Sequence, residues 1–336
     1  MDVPMQKTRD PVFDIMKGIA MLLVVMSHSF FPEASNKAFV FFRSTLFFMI
    51  SGYFAKEWLF CDLVKNGIKK IAIPLLFTNI IMLFIVFILD LIMQTNVVPT
   101  ALKSVALGTS SWDLPGTNIS QISAGPLWFL WALIWVRIYW VFLQKKNDII
   151  SGVTIIVFAV IAFHLKTYVT LPFSILSSFG ALGFFFAGHM IRKYSLLENA
   201  VGRKIFPICL ICLIYCIGFS NIDINFCHYG AFYIVDLSAC VAGFFIIQKV
   251  VKTYYMQENR FWNFLHFIGR YSLVFLCAHS IDQCISVDWM PFKLWSFFET
   301  KSELVCAYLI KVLFATSLTF IVSKIKFLSE KIFFIK

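Results

Sequence analysis

Asp14-Ile-Met-Lys17-Gly18-Ile-Ala-Met-Leu-Leu-Val-Val-Met-Ser27-His28 is the stretch whose reading decides the fold. It has the apolar length of a membrane-crossing helix, with an acid and a base near one end and an imidazole at the other. Lys17 and His28 are eleven residues apart, close to three helical turns, so the spacing places both on one face about 16 Å apart along the axis. Asp14 lies one turn before Lys17 on that face. A lipid anchor needs none of these groups, and each ionisable side chain at depth costs about 2.5–3.5 kcal/mol. The face is therefore expected to point into a protein interior or a wet cavity, with a site built on it.

The remainder of the chain agrees with a membrane setting. Of 336 residues, 60% are hydrophobic and 14% charged, and 40 are Phe. The mean hydropathy of +0.82 is more than a water-soluble domain can bury. A formal charge of +11 would suggest nucleic acid in a soluble chain; here the basic residues read as topology signals at helix ends, with no nucleic-acid partner. The nine cysteines fall mostly inside apolar runs and read as small packing residues, so no metal is expected. No cleavable signal peptide is expected, because the first apolar run carries Lys17 and His28 and no small-x-small site follows.

Runs long enough to span occur at roughly 13–31, 38–56, 71–93, 126–143, 149–164, 173–191, 205–220, 230–248, 267–285 and 303–323. They predict an all-α polytopic membrane protein of about ten transmembrane helices in a single domain over 1–336. Lys and Arg concentrate in alternate connections, which predicts both termini in the cytoplasm and an external 94–125 connection with a short amphipathic piece at 101–107. With that orientation Asp14, Lys17, Arg137, His189, Arg192 and Arg270 lie toward the cytoplasm, with Lys69 and Lys70 at the mouth of the third helix. His28, Arg43, Asp90, Asp236, His279 and Asp282 lie toward the outside. The cationic half suits a polyanionic ligand of nucleotide type. The half with His and Asp suits proton transfer on a hydroxylated substrate, for which a neutral imidazole is the natural base. Each group also has a plain structural reading. His28 serves equally as an interhelical tie, Lys17 as a snorkelling cation, Arg137 and Arg192 as interface anchors, and His279 with Asp282 as a hydrogen-bonded pair.

Further local patterns add to this. Leu46-Phe-Phe-Met-Ile-Ser51-Gly52-Tyr53 puts small residues where two helices can approach closely. Lys69-Lys70 precedes Pro74, Gly125-Pro126-Leu127-Trp128-Phe129-Leu130 opens the fourth helix, and Ile268-Gly269-Arg270-Tyr271-Ser272 leads toward His279. Together these residues resemble the membrane-bound acyltransferase-3 family, especially its sugar O-acetyltransferases of the fucose-4-O-acetylase-like kind. The resemblance runs from Asp14 to about Asp282, and a cation followed after ten residues by His is its most specific part. It implies that His28 is essential for acetyl transfer, with Lys17 at a position commonly held by Arg and Asp14 as its partner. It further implies acetyl-CoA as the donor, held by Lys69, Lys70 and Arg137, without a metal. A surface or lipid-linked glycan, such as O-antigen or capsule, would be the acceptor, approached by Arg43, Asp236, His279 and Trp128. A bacterial inner-membrane location follows from the same likeness, with membrane lipids as partners, and a homo-oligomer is compatible with it. A glycan transporter or flippase is the rival reading; it usually carries paired internal repeats, and none is visible here.

Overall fold

The computed structural model describes residues 10–29, 38–94, 96, 98–108, 125–169, 171–219, 222–223, 227, 233–256, 259–286 and 301–335. Lys37 and most of the expected external connection therefore lie outside the described residues. Within them the chain is helical and contains no strand.

The first helix, α1 (Pro11–Ser27), starts where Asp10 accepts a hydrogen bond from the Val12 N–H and Pro11 sets the first turn. A 3₁₀ turn at Val40–Phe42 leads into α2 (Ser44–Tyr53). A π-helical segment at Leu63–Ile68 runs on into α3 (Lys69–Met93), where Pro74 supplies no N–H to the Lys70 carbonyl. The short α4 (Val98–Leu107) is tied back to α3 through the Val98 N–H and Asp90 Oδ2 at 3.4 Å. There follow α5 (Trp128–Leu143), α6 (Asp148–Leu165), α7 (Ile175–Lys193), α8 (Ala200–Phe219) and α9 (Tyr233–Tyr254). The last three are α10 (Arg260–Arg270), α11 (Ser272–Ser286) and α12 (Lys301–Lys324).

The helices fall where the apolar runs predict them. Among the described residues, seven helices are long and apolar enough to cross a bilayer, or eight if α10 and α11, bent by 83° at Tyr271, count as one. The first and second runs give shorter helices. At 17 residues α1 is about 25 Å long, short of the ~30 Å hydrocarbon core, and α2 has only ten residues.

What these short helices lack in length they make up in packing. α1 lies along α10 and α2 along α7, in each case with backbones in contact. A Cβ built on Gly52 or Gly188 would overlap the main-chain carbonyl of Phe185 or Met49, and one on Gly18 or Gly269 that of Leu265 or Asp14. The Ser51-Gly52 pattern thus does what small residues do between membrane helices: it lets backbones meet.

The chain alternates direction through the bundle. Phe13 near the start of α1 packs on Tyr53 at the end of α2, their ring centroids 4.7 Å apart. Gln144 after α5 bonds both main-chain groups of Trp58, and Lys193 at the end of α7 pairs with Asp148 at the start of α6 at 2.7 Å. These contacts gather Lys17, Lys69, Lys70, Arg137, Lys145, Lys146, Arg192 and Lys193 at one end, called here the basic end. His28 and Arg43 mark the opposite end.

Candidate active site

Two polar clusters occupy the two ends of α1. At the basic end, Asp14 is buried and pairs with Lys17 Nζ at 2.6 Å. Its other oxygen faces His266 Nε2 of α10 at 3.8 Å. Asp14 and Lys17 are neighbours at i and i+3, as the sequence placed them; His266 joins them only because Gly18 and Gly269 bring α10 against α1.

Close by, Arg137 on α5 reaches the start of α3, its Nη1 3.4 Å from the Gly67 carbonyl oxygen. Lys69 and Lys70 follow two and three residues later and are exposed. The structure therefore brings Arg137 to Gly67, seventy residues away in the chain and just ahead of the Lys69-Lys70 pair. Arg192 is a cap: its Nη1 donates to the Tyr53 carbonyl at 3.1 Å, and its guanidinium lies over the Tyr53 and Phe54 rings.

At the other end His28 is the residue that terminates α1. Its N–H returns to the Val25 carbonyl at 3.1 Å, and the Ser29 N–H to that of Met26, while the residue itself remains exposed. Its ring lies 5.5 Å from that of His279 on α11. His279 is fully buried, and among the described residues neither ring nitrogen has a hydrogen-bond partner. Nδ1 faces Asp282 Oδ2 one turn later at 3.7 Å, beyond hydrogen-bonding range. A buried imidazole with both nitrogens unsatisfied is uncommon and calls for a ligand or water. Gln283, also buried, continues this polar face toward Gly125, in the turn just before Trp128.

The charged and ionisable groups acting on His28 are His279, Arg43 and Lys311. Arg43, between the 3₁₀ turn and α2, is thus brought to the site. Trp128 stands at the first position of α5, edge-on to Phe129. Asp236 on α9 is buried, and Cys216 Sγ of α8 donates to it at 3.4 Å.

Lys311 is the residue that sequence reasoning missed. Its Nζ donates to the His28 carbonyl oxygen at 2.7 Å. The available signal was a lone cation in the middle of the final apolar run, where no helix-end role applies.

The described residues thus form an all-helical bundle with membrane-length spans and a histidine–cation cluster at the end of a short helix. The chain belongs to the acyltransferase-3 family, whose profile, described as an acyltransferase domain, matches residues 10–325. It is 28% identical over 141 residues to the nodulation protein NolL of Sinorhizobium fredii (strain NBRC 101917 / NGR234). That alignment covers 38% of this chain and 34% of NolL, so only about a third of the relative's length is spanned. No solved structure matches.

Proposed function

We propose that the protein is an O-acetyltransferase that moves the acetyl group of acetyl-CoA to a hydroxyl of a surface or lipid-linked glycan. The observation that carries this reading is the imidazole of His28, 5.5 Å from the ring of His279 and set where Lys311 bonds the end of α1, on a helix whose other end is cationic.

The basic end faces the cytoplasm, following the distribution of Lys and Arg. There Lys69, Lys70 and Arg137 meet the phosphates of the donor through charge-assisted hydrogen bonds, and Lys17, fixed by Asp14, borders the path of the thioester arm. His28 lies about 16 Å further along α1. There it takes the proton of the acceptor hydroxyl as that oxygen bonds to the thioester carbonyl carbon. The carbon–sulfur bond then breaks, and the departing sulfur takes the proton back from His28. Free CoA and an acetyl ester result, and His28 is restored. His279 and Arg43 border the acceptor, and Trp128 offers it a ring face. Asp236, which accepts a hydrogen bond from Cys216, is a further candidate on the acceptor side.

Purified protein supplied with radiolabelled acetyl-CoA and a glycan acceptor tests this, together with mass spectrometry of surface glycan from cells with and without the gene. Label in the glycan and an acetyl mass difference are expected. Translocation of unmodified glycan with no consumption of acetyl-CoA would replace this reading with a transporter.

A further inference from the structure

Lys311 is wholly buried near the middle of α12. An ammonium at such depth is expensive, so what it meets defines its use. Among the described residues its Nζ donates to the main-chain carbonyl of His28, at 2.7 Å across 283 residues of sequence. That carbonyl is one of the last in α1, which have no donor within the helix, and it sits at the negative end of the helix dipole. A cation there satisfies both, and a hydrogen bond from a charged donor is about twice as strong as a neutral one. One turn earlier on the same face of α12, the Tyr308 hydroxyl approaches the Leu22 carbonyl at 3.4 Å, a longer contact further from the site.

We propose that Lys311 is a positioning residue for His28. It clamps the backbone where α1 ends, so that the imidazole is held beside His279 and presented to the acceptor hydroxyl. The proposal rests on His28 being the base, and it adds that the base is set from a helix at the far end of the chain. Without the clamp, α1 ends in the single turn formed by the N–H groups of His28 and Ser29. Misplacement of a reacting group by about 1 Å costs on the order of 10²-fold in rate.

Lys311→Met keeps the aliphatic stem and removes the donor, and Lys311→Arg restores a cation with different reach. Lys311→Met is expected to lower kcat about 10- to 100-fold per folded molecule with KM for acetyl-CoA unchanged, since the donor cations are at the other end. Lys311→Arg is expected to recover part of the loss. Tyr308→Phe, which removes the neighbouring tie to α1, is expected to leave kcat unchanged. A second readout needs no turnover: diethylpyrocarbonate modification of His28, followed by peptide mass spectrometry, should change in rate in Lys311→Met and not in Tyr308→Phe. Unchanged kcat and unchanged modification in Lys311→Met overturn the proposal, as does an equal loss in Tyr308→Phe. If Lys311→Met fails to accumulate, the same two measurements on Lys311→Arg decide. If His28→Gln proves active, the base assignment falls, and the modification rates still report whether Lys311 sets the imidazole.

Discussion

Replacing His28 by Gln separates chemistry from architecture, because the structure assigns its side chain and main chain to different tasks. Among the described residues, every hydrogen bond at His28 is made by the backbone: the N–H returns to Val25, and the carbonyl accepts from Lys311. Glutamine keeps all of these. The side chain contributes the ring contact with His279 at 5.5 Å, and aromatic pairs are worth about 0.5–1.5 kcal/mol. The stability change is therefore expected to stay within about 1.5 kcal/mol, and folded protein should accumulate at near-normal level. Loss of a general base costs about 10²–10⁴ in rate, or roughly 2.7–5.4 kcal/mol of transition-state stabilisation.

The assay is acetyl transfer from labelled acetyl-CoA by detergent-purified enzyme, normalised to the monodisperse fraction in size-exclusion chromatography. His28→Gln and His28→Ala are expected to be inactive to a similar degree at normal protein level. An interhelical tie would behave otherwise: Gln would preserve activity, and Ala would lower the amount of folded protein. A His28→Gln enzyme turning over at near wild-type rate refutes the proposed chemistry while leaving the fold intact.

Three other outcomes are expected. Exchanging Lys69 and Lys70 together for Gln should raise KM for acetyl-CoA several-fold with little change in protein level, because both are exposed; an unaltered KM removes them from the donor site. Gly188→Ala forces a methyl group into the Met49 carbonyl, so α2 and α7 must separate, at about 1–3 kcal/mol; a melting temperature equal to wild type in a fluorescence thermal scan contradicts the backbone contact. In a background with the exposed Cys61 and Cys306 replaced, an impermeant thiol reagent added to intact cells should label Lys103→Cys and spare Lys331→Cys, and the reverse pattern inverts the orientation.

How far these features could be read from the sequence depends on whether the signal was local. Asp14 and Lys17 are one helical turn apart, and their pairing follows from spacing alone. The Ser51-Gly52 contact needed only the rule that small residues admit a neighbouring backbone, although its partner, Phe185 on α7, could not be named. The cluster around His28 was legible as a set of candidates and illegible as an arrangement. His279 and Arg43 converge on it, whereas Asp236, with the same apparent depth, accepts a hydrogen bond from Cys216. Periodicity gives the face of a helix but not which other helix it meets. Lys311 was hidden for the same reason: a single cation in an apolar run carries no pattern, and its partner is a main-chain oxygen at the other end of the protein.

The helix on which the proposed chemistry rests is shorter than most of the spans, and burial is the physical context. In α6 and α8 about a fifth of the membrane window is buried, as expected of helices facing lipid, whereas 72% is buried in the span that contains α7. A helix surrounded by lipid must match the hydrocarbon thickness or expose its ends. One packed among other helices has no such duty and can end below the surface. α1, against α10 on one side and α9 and α2 on others, is of the second kind. Its ~25 Å separates the two polar clusters by about the length of the shortest span, α6 at 18 residues. On the proposed reading, donor and acceptor approach from opposite sides, and a short α1 limits the distance the thioester arm has to cover. The ionisable side chains at both ends of α1 would then be the two mouths of the reaction path, groups that a membrane anchor would not need.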